Sequence, residues 1–272
     1  MSGSRATLAA VESTTADTSM TFAEAWATIG AAQKPGDGVP AYTRWVNRRA
    51  ARVVASAAVA TGVGPNAVSF ISFGLSLAGL GALLALHSQT VIAGALAAVL
   101  LALGYVLDSA DGQVARLTGR SSKQGEWLDH LLDAARVPAI HVTVLLVAMW
   151  SGSTLGMVTA ALFVPLAAAQ FMSQILAEQL RKDLRRTAVR RWTPTEAPAR
   201  VAQGSPRRGT LQSIFLLPTD TGALCWLFLA WAWPPLFFAL YALLFATNAV
   251  HAAVSMRRRA LELAGPTRKD VR

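Results

Sequence analysis

Charged side chains vanish from this sequence three times: none occurs from Val53 to Leu107, from Val137 to Ala177, or from Thr221 to Met256. A helix crosses the hydrocarbon core of a bilayer in about 20 residues, so each tract is too long for a single span. Each is broken once, at His87-Ser88-Gln89-Thr90, at Ser151-Gly152-Ser153-Thr154 and at Pro234-Pro235. Dividing at these breaks predicts six transmembrane helices, near 66–86, 91–116, 126–150, 154–180, 219–233 and 236–256, with the fifth short and extensible back toward Ser213. The expected fold class is therefore an all-α integral membrane protein. Composition agrees, since 53% of residues are hydrophobic and 15% charged, against about 25% charged in soluble domains.

Four regions follow from this pattern: a polar, partly disordered lead over 1–40, a juxtamembrane segment over 41–62, a six-helix domain over 63–260 and a cytoplasmic tail over 261–272. In the second region Arg44, Arg48, Arg49 and Arg52 alternate with Trp45, Val46, Val53 and Val54 at roughly helical spacing. That suits an amphipathic helix on the membrane surface, or equally a solvated helix. No internal repeat is present. Cys225, the single cysteine, stands in an apolar tract and reads as a small buried hydrophobe.

The net charge of +10 raises the possibility of nucleic acid, but the basic residues follow membrane topology instead. They precede the first span, lie between the second and third (Arg116, Arg120, Lys123), fill 181–208 and follow the last span (Arg257, Arg258, Arg259). The three opposite turns contain no Lys or Arg. The positive-inside rule then puts both termini and both charged loops in the cytoplasm of a multi-pass protein of the cell membrane, facing anionic lipid and not nucleic acid. Trp127 and Trp192 fall near the cytoplasmic ends of the spans, and Trp150, Trp231 and Trp233 near the outer ends, as an interfacial belt or packing would place them.

Four of the fifteen acidic residues concentrate at the cytoplasmic ends of the second and third spans: Asp108, Asp111, Asp129 and Asp133. Carboxylates at membrane depth are costly and repel one another, so they should face the bundle interior and share a counter-charge. Asp108, Asp111, Gly112, Ala115 and Arg116 share one helical stripe, and Gly125, Asp129 and Asp133 form another. A turn between the two helices would set these stripes face to face. Oxygen donors alone favour a hard divalent cation, and two ions would neutralise four carboxylates. Gly112 and Ala115 leave space for a ligand or for close helix packing. Arg116 and Arg120 are placed to bind phosphate or to fix topology.

The stretch Asp108-Ser109-Ala110-Asp111-Gly112-Gln113-Val114-Ala115-Arg116, followed after eight residues by Gly125-Glu126-Trp127-Leu128-Asp129-His130-Leu131-Leu132-Asp133, resembles the signature of the CDP-alcohol phosphotransferase (phosphatidyltransferase) family. All eight signature positions are filled: four Asp, two Gly, one Ala and one Arg. The resemblance implies a six-helix fold with a cytoplasmic site, and an enzyme that moves a substituted phosphate group from a CDP-linked donor to an alcohol acceptor, releasing CMP. It further implies that Asp108, Asp111, Asp129 and Asp133 bind two Mg2+ (or Mn2+) ions and that Asp133 is also the general base. Gly112, Ala115, Arg116 and Gly125 would belong to the nucleotide site, with Asn66 of Gly64-Pro65-Asn66 near the cytidine and Ser122 against the donor. A homodimer is implied as well.

Transfer to the β-phosphorus needs a base for the acceptor hydroxyl. Asp133 follows Asp129 by one turn, whereas His130 points about 100° away from it. Arg136, one turn beyond Asp133, with Arg181 and Lys182 at the end of the fourth span, could hold an anionic acceptor such as glycerol phosphate or inositol phosphate, or could only fix topology. The donor is CDP-diacylglycerol or a small soluble CDP-alcohol. A divalent-cation channel or transporter is the competing class, but it has no need of Gly112, Ala115 and Arg116, and transport sites usually sit near the midplane. Topology is directly testable: a Cys placed at Ser153 should be labelled from outside intact cells and one placed at Ser205 should not, and the reverse pattern would invert the orientation.

Overall fold

The computed structural model describes residues 20–31, 38–191, 210, 213–214 and 216–264, and all regular structure among them is helical. The helices are α1 (Phe22–Ala31), α2 (Arg48–Ala60), α3 (Pro65–Ala85), α4 (Thr90–Leu117), α5 (Lys123–Trp150), α6 (Thr154–Arg191), α7 (Thr221–Leu227) and α8 (Pro234–Leu263). A π-helical turn at Thr43–Asn47 leads into α2, and a 3-10 stretch at Phe228–Ala232 continues α7. Most of the lead, the tail beyond 264 and the basic stretch around Trp192 lie outside the described residues.

Five helices, α3, α4, α5, α6 and α8, are long and apolar enough to cross a membrane, so the chain has the make-up of a multi-pass membrane protein. The expected fifth span differs. Thr221–Ala232 is a shorter apolar helix, and twelve residues reach only about 18 Å at 1.5 Å per residue. The turn at Trp233-Pro234 ends it, because the two prolines that open α8 cannot donate to the preceding turn. α6 runs well past the expected end at 180, carried by a sequence rich in Arg with no Gly or Pro before Pro194.

The lead contains a short apolar helix that its polar flanks had concealed. Thr21 and Glu24 form a capping box at the start of α1, with the Thr21 amide donating to the Glu24 carboxylate at 2.8 Å and the Glu24 amide to Thr21 Oγ1 at 3.4 Å. Ala25 and Ile29 of α1 pack with Ala51, Ala55 and Val59 of α2 and with Val106, Ala110 and Val114 of α4. Arg52 fastens α1 to α2: its guanidinium lies 3.7 Å from the Trp26 ring centroid and donates to the Trp26 carbonyl. α2 thus buries one face against the bundle, while Val53 on its other side is exposed.

The larger core joins α3 through α8. Ala93, Ala97, Leu101 and Ala102 of α4 stand at its centre, with Val144 and Val147 of α5, Phe163 of α6 and the aromatic group Phe228, Trp231, Phe237, Phe238 and Tyr241 around them. Trp231 is 1% exposed and belongs to this core, not to the interfacial belt; Trp127, Trp150 and Trp233 are exposed, as a belt requires. Cys225 is buried here too.

Small residues let α4 approach its neighbours, as they do in membrane bundles generally. A Cβ on Gly104 would come 2.5 Å from Ser76 Oγ and 2.9 Å from the Ser72 carbonyl, and one on Gly94 would come 2.5 Å from the Phe228 carbonyl. Asp220 caps α7 through the Gly222 amide at 3.0 Å and accepts from the Thr43 amide and hydroxyl, both at 2.8 Å; Thr43 Oγ1 also meets the Tyr105 hydroxyl at 2.7 Å. This latch ties the segment before α2 to α4 and α7.

Gly104→Val should force α3 from α4 and lower stability by about 1–3 kcal/mol, the usual cost of overpacking. Gly81→Ala, with open space around its Cβ position, should be neutral or mildly stabilising. Thermal unfolding of the two variants in one detergent should separate them.

Candidate active site

The site is built where α4 ends and α5 begins. Gly119 adopts φ +66°, a left-handed conformation that Gly alone adopts readily, and the Arg120 amide reaches back to the Ala115 carbonyl at 2.9 Å, closing α4. Three residues later Ser122 caps α5, its Oγ accepting from the Gly125 amide at 3.0 Å. This short reversal sets the two stripes of signature residues against each other. Oxygens of Asp108, Asp111 and Asp129 come within 4.8 Å of one another.

Asp133 is joined to this group through Arg136. Its Oδ1 lies 3.2 Å from Nη1 of Arg136, which also donates to Asp108 Oδ1 at 2.8 Å. The second guanidinium nitrogen of Arg136 donates to Ser72 Oγ at 3.0 Å, and Ser72 in turn donates to the Gly104 carbonyl at 2.8 Å. Asp111, 7% exposed, receives the Ser69 hydroxyl at 2.5 Å on Oδ2 and its neighbour Gly112's amide at 2.5 Å on Oδ1. Ser69 and Ser72 were not singled out by the sequence reading. The signal was available as a serine stripe, Ser69, Ser72 and Ser76, at helical spacing within an apolar span.

Asn66, Gly112, Ala115, Arg116, Ser122 and Gly125 all line one open pocket, together with Asp111 and Asp129. The packing explains the two glycines. A Cβ on Gly125 would sit 3.3 Å from Ser122 Oγ and 3.9 Å from Asn66 Oδ1, and one on Gly112 would sit 3.4 Å from Arg116 Nη1. Arg120 and Ser121 complete the rim. Ser122 therefore both caps α5 and lines the pocket. His130 stays 3.9 Å from the Asp129 carboxylate.

The three cations expected to receive an acceptor each have an anionic partner within the chain. Arg136 is 5% exposed and bound to Asp108 and Asp133. Arg181 pairs with Glu262 through two hydrogen bonds. Lys182 lies 2.7 Å from Glu126 and 3.1 Å from Glu178. Arg136 lies beside Asp133, as its spacing on the helix placed it, and its side chain turns inward to the carboxylates. A second cleft opens between α6, α8 and the start of α7, and none of the four aspartates lines it. It consists of two adjoining hollows that share Gln170, Gln174 and Asp220. Tyr105 and Val137, each one turn from a signature aspartate, line it, and Arg181, Arg258 and Arg259 stand at its rim.

Three converging carboxylates with oxygen donors only suit a hard divalent cation and fit neither softer nor nitrogen-preferring metals. With a basic, glycine-edged pocket beside them, they form the kind of centre that handles phosphate esters at a membrane. The sequence comparison narrows that class. The family model described as CDP-alcohol phosphatidyltransferase matches residues 63–255, and the chain belongs to this family of phosphotransferase enzymes. The match covers α3 to most of α8 and leaves α1 and α2 outside it. A search of curated proteins finds no match. Ala115→Leu, which would project a larger side chain into the pocket, should raise the donor KM about tenfold, equivalent to ~1.4 kcal/mol, with little change in Tm; CMP-release kinetics and thermal unfolding check the two halves.

Proposed function

We propose that the chain transfers a substituted phosphate group, phosphatidyl when the donor is CDP-diacylglycerol, to the hydroxyl of a phosphorylated polyol such as glycerol phosphate or inositol phosphate, and releases CMP. The observation that carries this reading is the convergence of Asp108, Asp111 and Asp129 at a glycine-edged pocket, with a separate cleft that Arg181, Arg258 and Arg259 line and that Tyr105 and Val137 bring within a helical turn of the aspartates. In-line displacement at phosphorus brings the nucleophile in opposite the leaving group. A pocket at the carboxylates and a cleft one helical turn from them suit a donor and an acceptor that approach in this way.

In this reading Asn66, Gly112, Ala115, Arg116, Ser122 and Gly125 hold the CDP portion. Asp108, Asp111 and Asp129 hold the divalent metal, Mg2+ or Mn2+, two ions serving the loaded enzyme. The metal neutralises pyrophosphate charge and stabilises the oxygens that enter and leave. Asp133 takes the proton of the acceptor hydroxyl as its oxygen bonds to the β-phosphorus. The bond from that phosphorus to the bridging oxygen breaks, and CMP departs with the electron pair. Arg181, with Arg258 and Arg259, draws the anionic end of the acceptor to the cleft rim.

Six helices then serve the membrane, with Thr221–Ala232 as a short sixth element and α2 as an amphipathic helix at the surface. Both termini and the site face the cytoplasm at the plasma membrane, and the enzyme acts in phospholipid biosynthesis, as a homodimer by family likeness. A small soluble CDP-alcohol is the alternative donor.

The test is CMP release by purified protein given Mg2+, CDP-diacylglycerol and a panel of acceptors. Chelator should abolish release, and Asp133→Asn should lower kcat by more than about a hundredfold, ~2.7 kcal/mol in barrier, while donor binding persists. Undiminished release in chelator, or an Asp133→Asn variant within about tenfold of the parent, would reject the assigned chemistry.

A further inference from the structure

We infer that Tyr105 is a substrate-binding residue whose phenolic oxygen accepts a hydrogen bond from a hydroxyl of the acceptor, and that Thr43 is the positioning residue that turns Tyr105 to this use. The inference deepens the acceptor reading above and rests on it.

Three observations lead to it. Tyr105 stands one helical turn before Asp108 and lines the cleft together with Thr43, Gln170 and Gln174. A ligand in the cleft thus meets hydroxyl and amide groups close to the carboxylates, a lining suited to a polyol.

The Tyr105 hydroxyl is also fixed in direction. Thr43 Oγ1 donates its single proton to Asp220 Oδ1 at 2.8 Å, a carboxylate oxygen that receives the Gly222 amide as well at 3.0 Å. Toward the Tyr105 hydroxyl, 2.7 Å away, Thr43 can then only accept. With its proton committed to Thr43, the phenolic oxygen offers the cleft an acceptor and no donor. It therefore favours a ligand hydroxyl over an ether or phosphate oxygen. The reacting hydroxyl gives its proton to Asp133 in the reading above, so the group that donates to Tyr105 is a neighbouring hydroxyl of the same polyol.

The third observation concerns where Thr43 comes from. It belongs to a segment that precedes residues 63–255, the part of the chain that the family model matches. Gly38 and Pro40 of that segment line the cleft too. The segment is held from several sides: the Thr43 amide donates to Asp220 Oδ2 at 2.8 Å, Trp226 Nε1 donates to the Tyr42 hydroxyl at 3.0 Å, and a Cβ on Gly222 would run into the Tyr42 ring. A stretch outside the matched domain thereby sets the hydrogen-bonding character of a cleft wall inside it.

The test is CMP release by the purified full-length chain in lipid nanodiscs with Mg2+, CDP-diacylglycerol and either glycerol phosphate or inositol phosphate. Tyr105→Phe should raise the KM of the acceptor that the parent uses about tenfold, while the donor KM moves less than about twofold. Thr43→Val should raise the acceptor KM about fivefold, and Thr43→Ser, which keeps the hydroxyl, should return it to within about twofold of the parent. Because Thr43 acts through Tyr105, the double variant Thr43→Val/Tyr105→Phe should match Tyr105→Phe alone to within about twofold. A Tyr105→Phe variant with unchanged acceptor KM overturns the inference, as does an equal rise in donor KM. Effects that multiply in the double variant overturn the role of Thr43 as a positioning residue. If Thr43→Val does not fold, Tyr105→Phe and Thr43→Ser still decide. Release with neither acceptor by the parent overturns the acceptor reading itself.

Discussion

Four carboxylates gathered at one end of an apolar bundle are the constraint around which this structure is organised. Each carboxylate at membrane depth carries a penalty of about 3 kcal/mol on insertion scales, and mutual repulsion adds to it. The surrounding residues answer that penalty in specific ways. Arg136 supplies a charge between Asp108 and Asp133, Ser69 donates to Asp111, and Ser72 holds the guanidinium in place from a third helix. Gly104 belongs to the same arrangement, since α3 must approach closely enough for Ser72 to reach both the Gly104 carbonyl and Arg136.

The rest of the fold is arranged to leave one opening at that centre and another within a helical turn of it. At the first, Gly112, Ala115 and Gly125 withhold side-chain volume, and Arg116 and Arg120 lean over the space. At the second, the shortness of Thr221–Ala232 sets the Asp220 cap next to Tyr105 and Gln170, where the cleft between α6 and α8 begins. The latch from Asp220 to Thr43 then links this wall to the segment that introduces α2. The helices outside the family match thereby reach the enzyme domain at a wall of the cleft.

Much of this was written locally. The charge-free tracts and their breaks gave α3, α4, α5, α6 and α8 to within a few residues at most of their ends, because a membrane span depends only on the hydropathy of consecutive residues. The two signature stripes were equally legible, since positions three and four apart on a helix share a face whatever surrounds them. The six pocket-lining residues Asn66, Gly112, Ala115, Arg116, Ser122 and Gly125 and the pair Asp111 and Asp129 needed only a reversal between α4 and α5 to meet, and Gly119 and Ser122 supply one within that short segment.

What the sequence left open depended on residues far apart in the chain. Arg136 read as a residue on the face of Asp133 that was free to hold an acceptor; its direction was settled by Ser72, 64 residues earlier, and Asp108, 28 residues earlier. Trp231 had the position of an interfacial tryptophan, yet the ring of Phe237 and Phe238 from the next helix encloses it. Helix α1 is apolar in itself but short, and polar stretches on both sides hid it, while the faces it packs on come from α2 and α4. Hydropathy and helical period are properties of neighbouring residues and so survive in a bare sequence, while the partner of a buried charge is chosen only when separate helices pack, which is why tertiary structure decided the counter-ion of the aspartates and the second cleft near them.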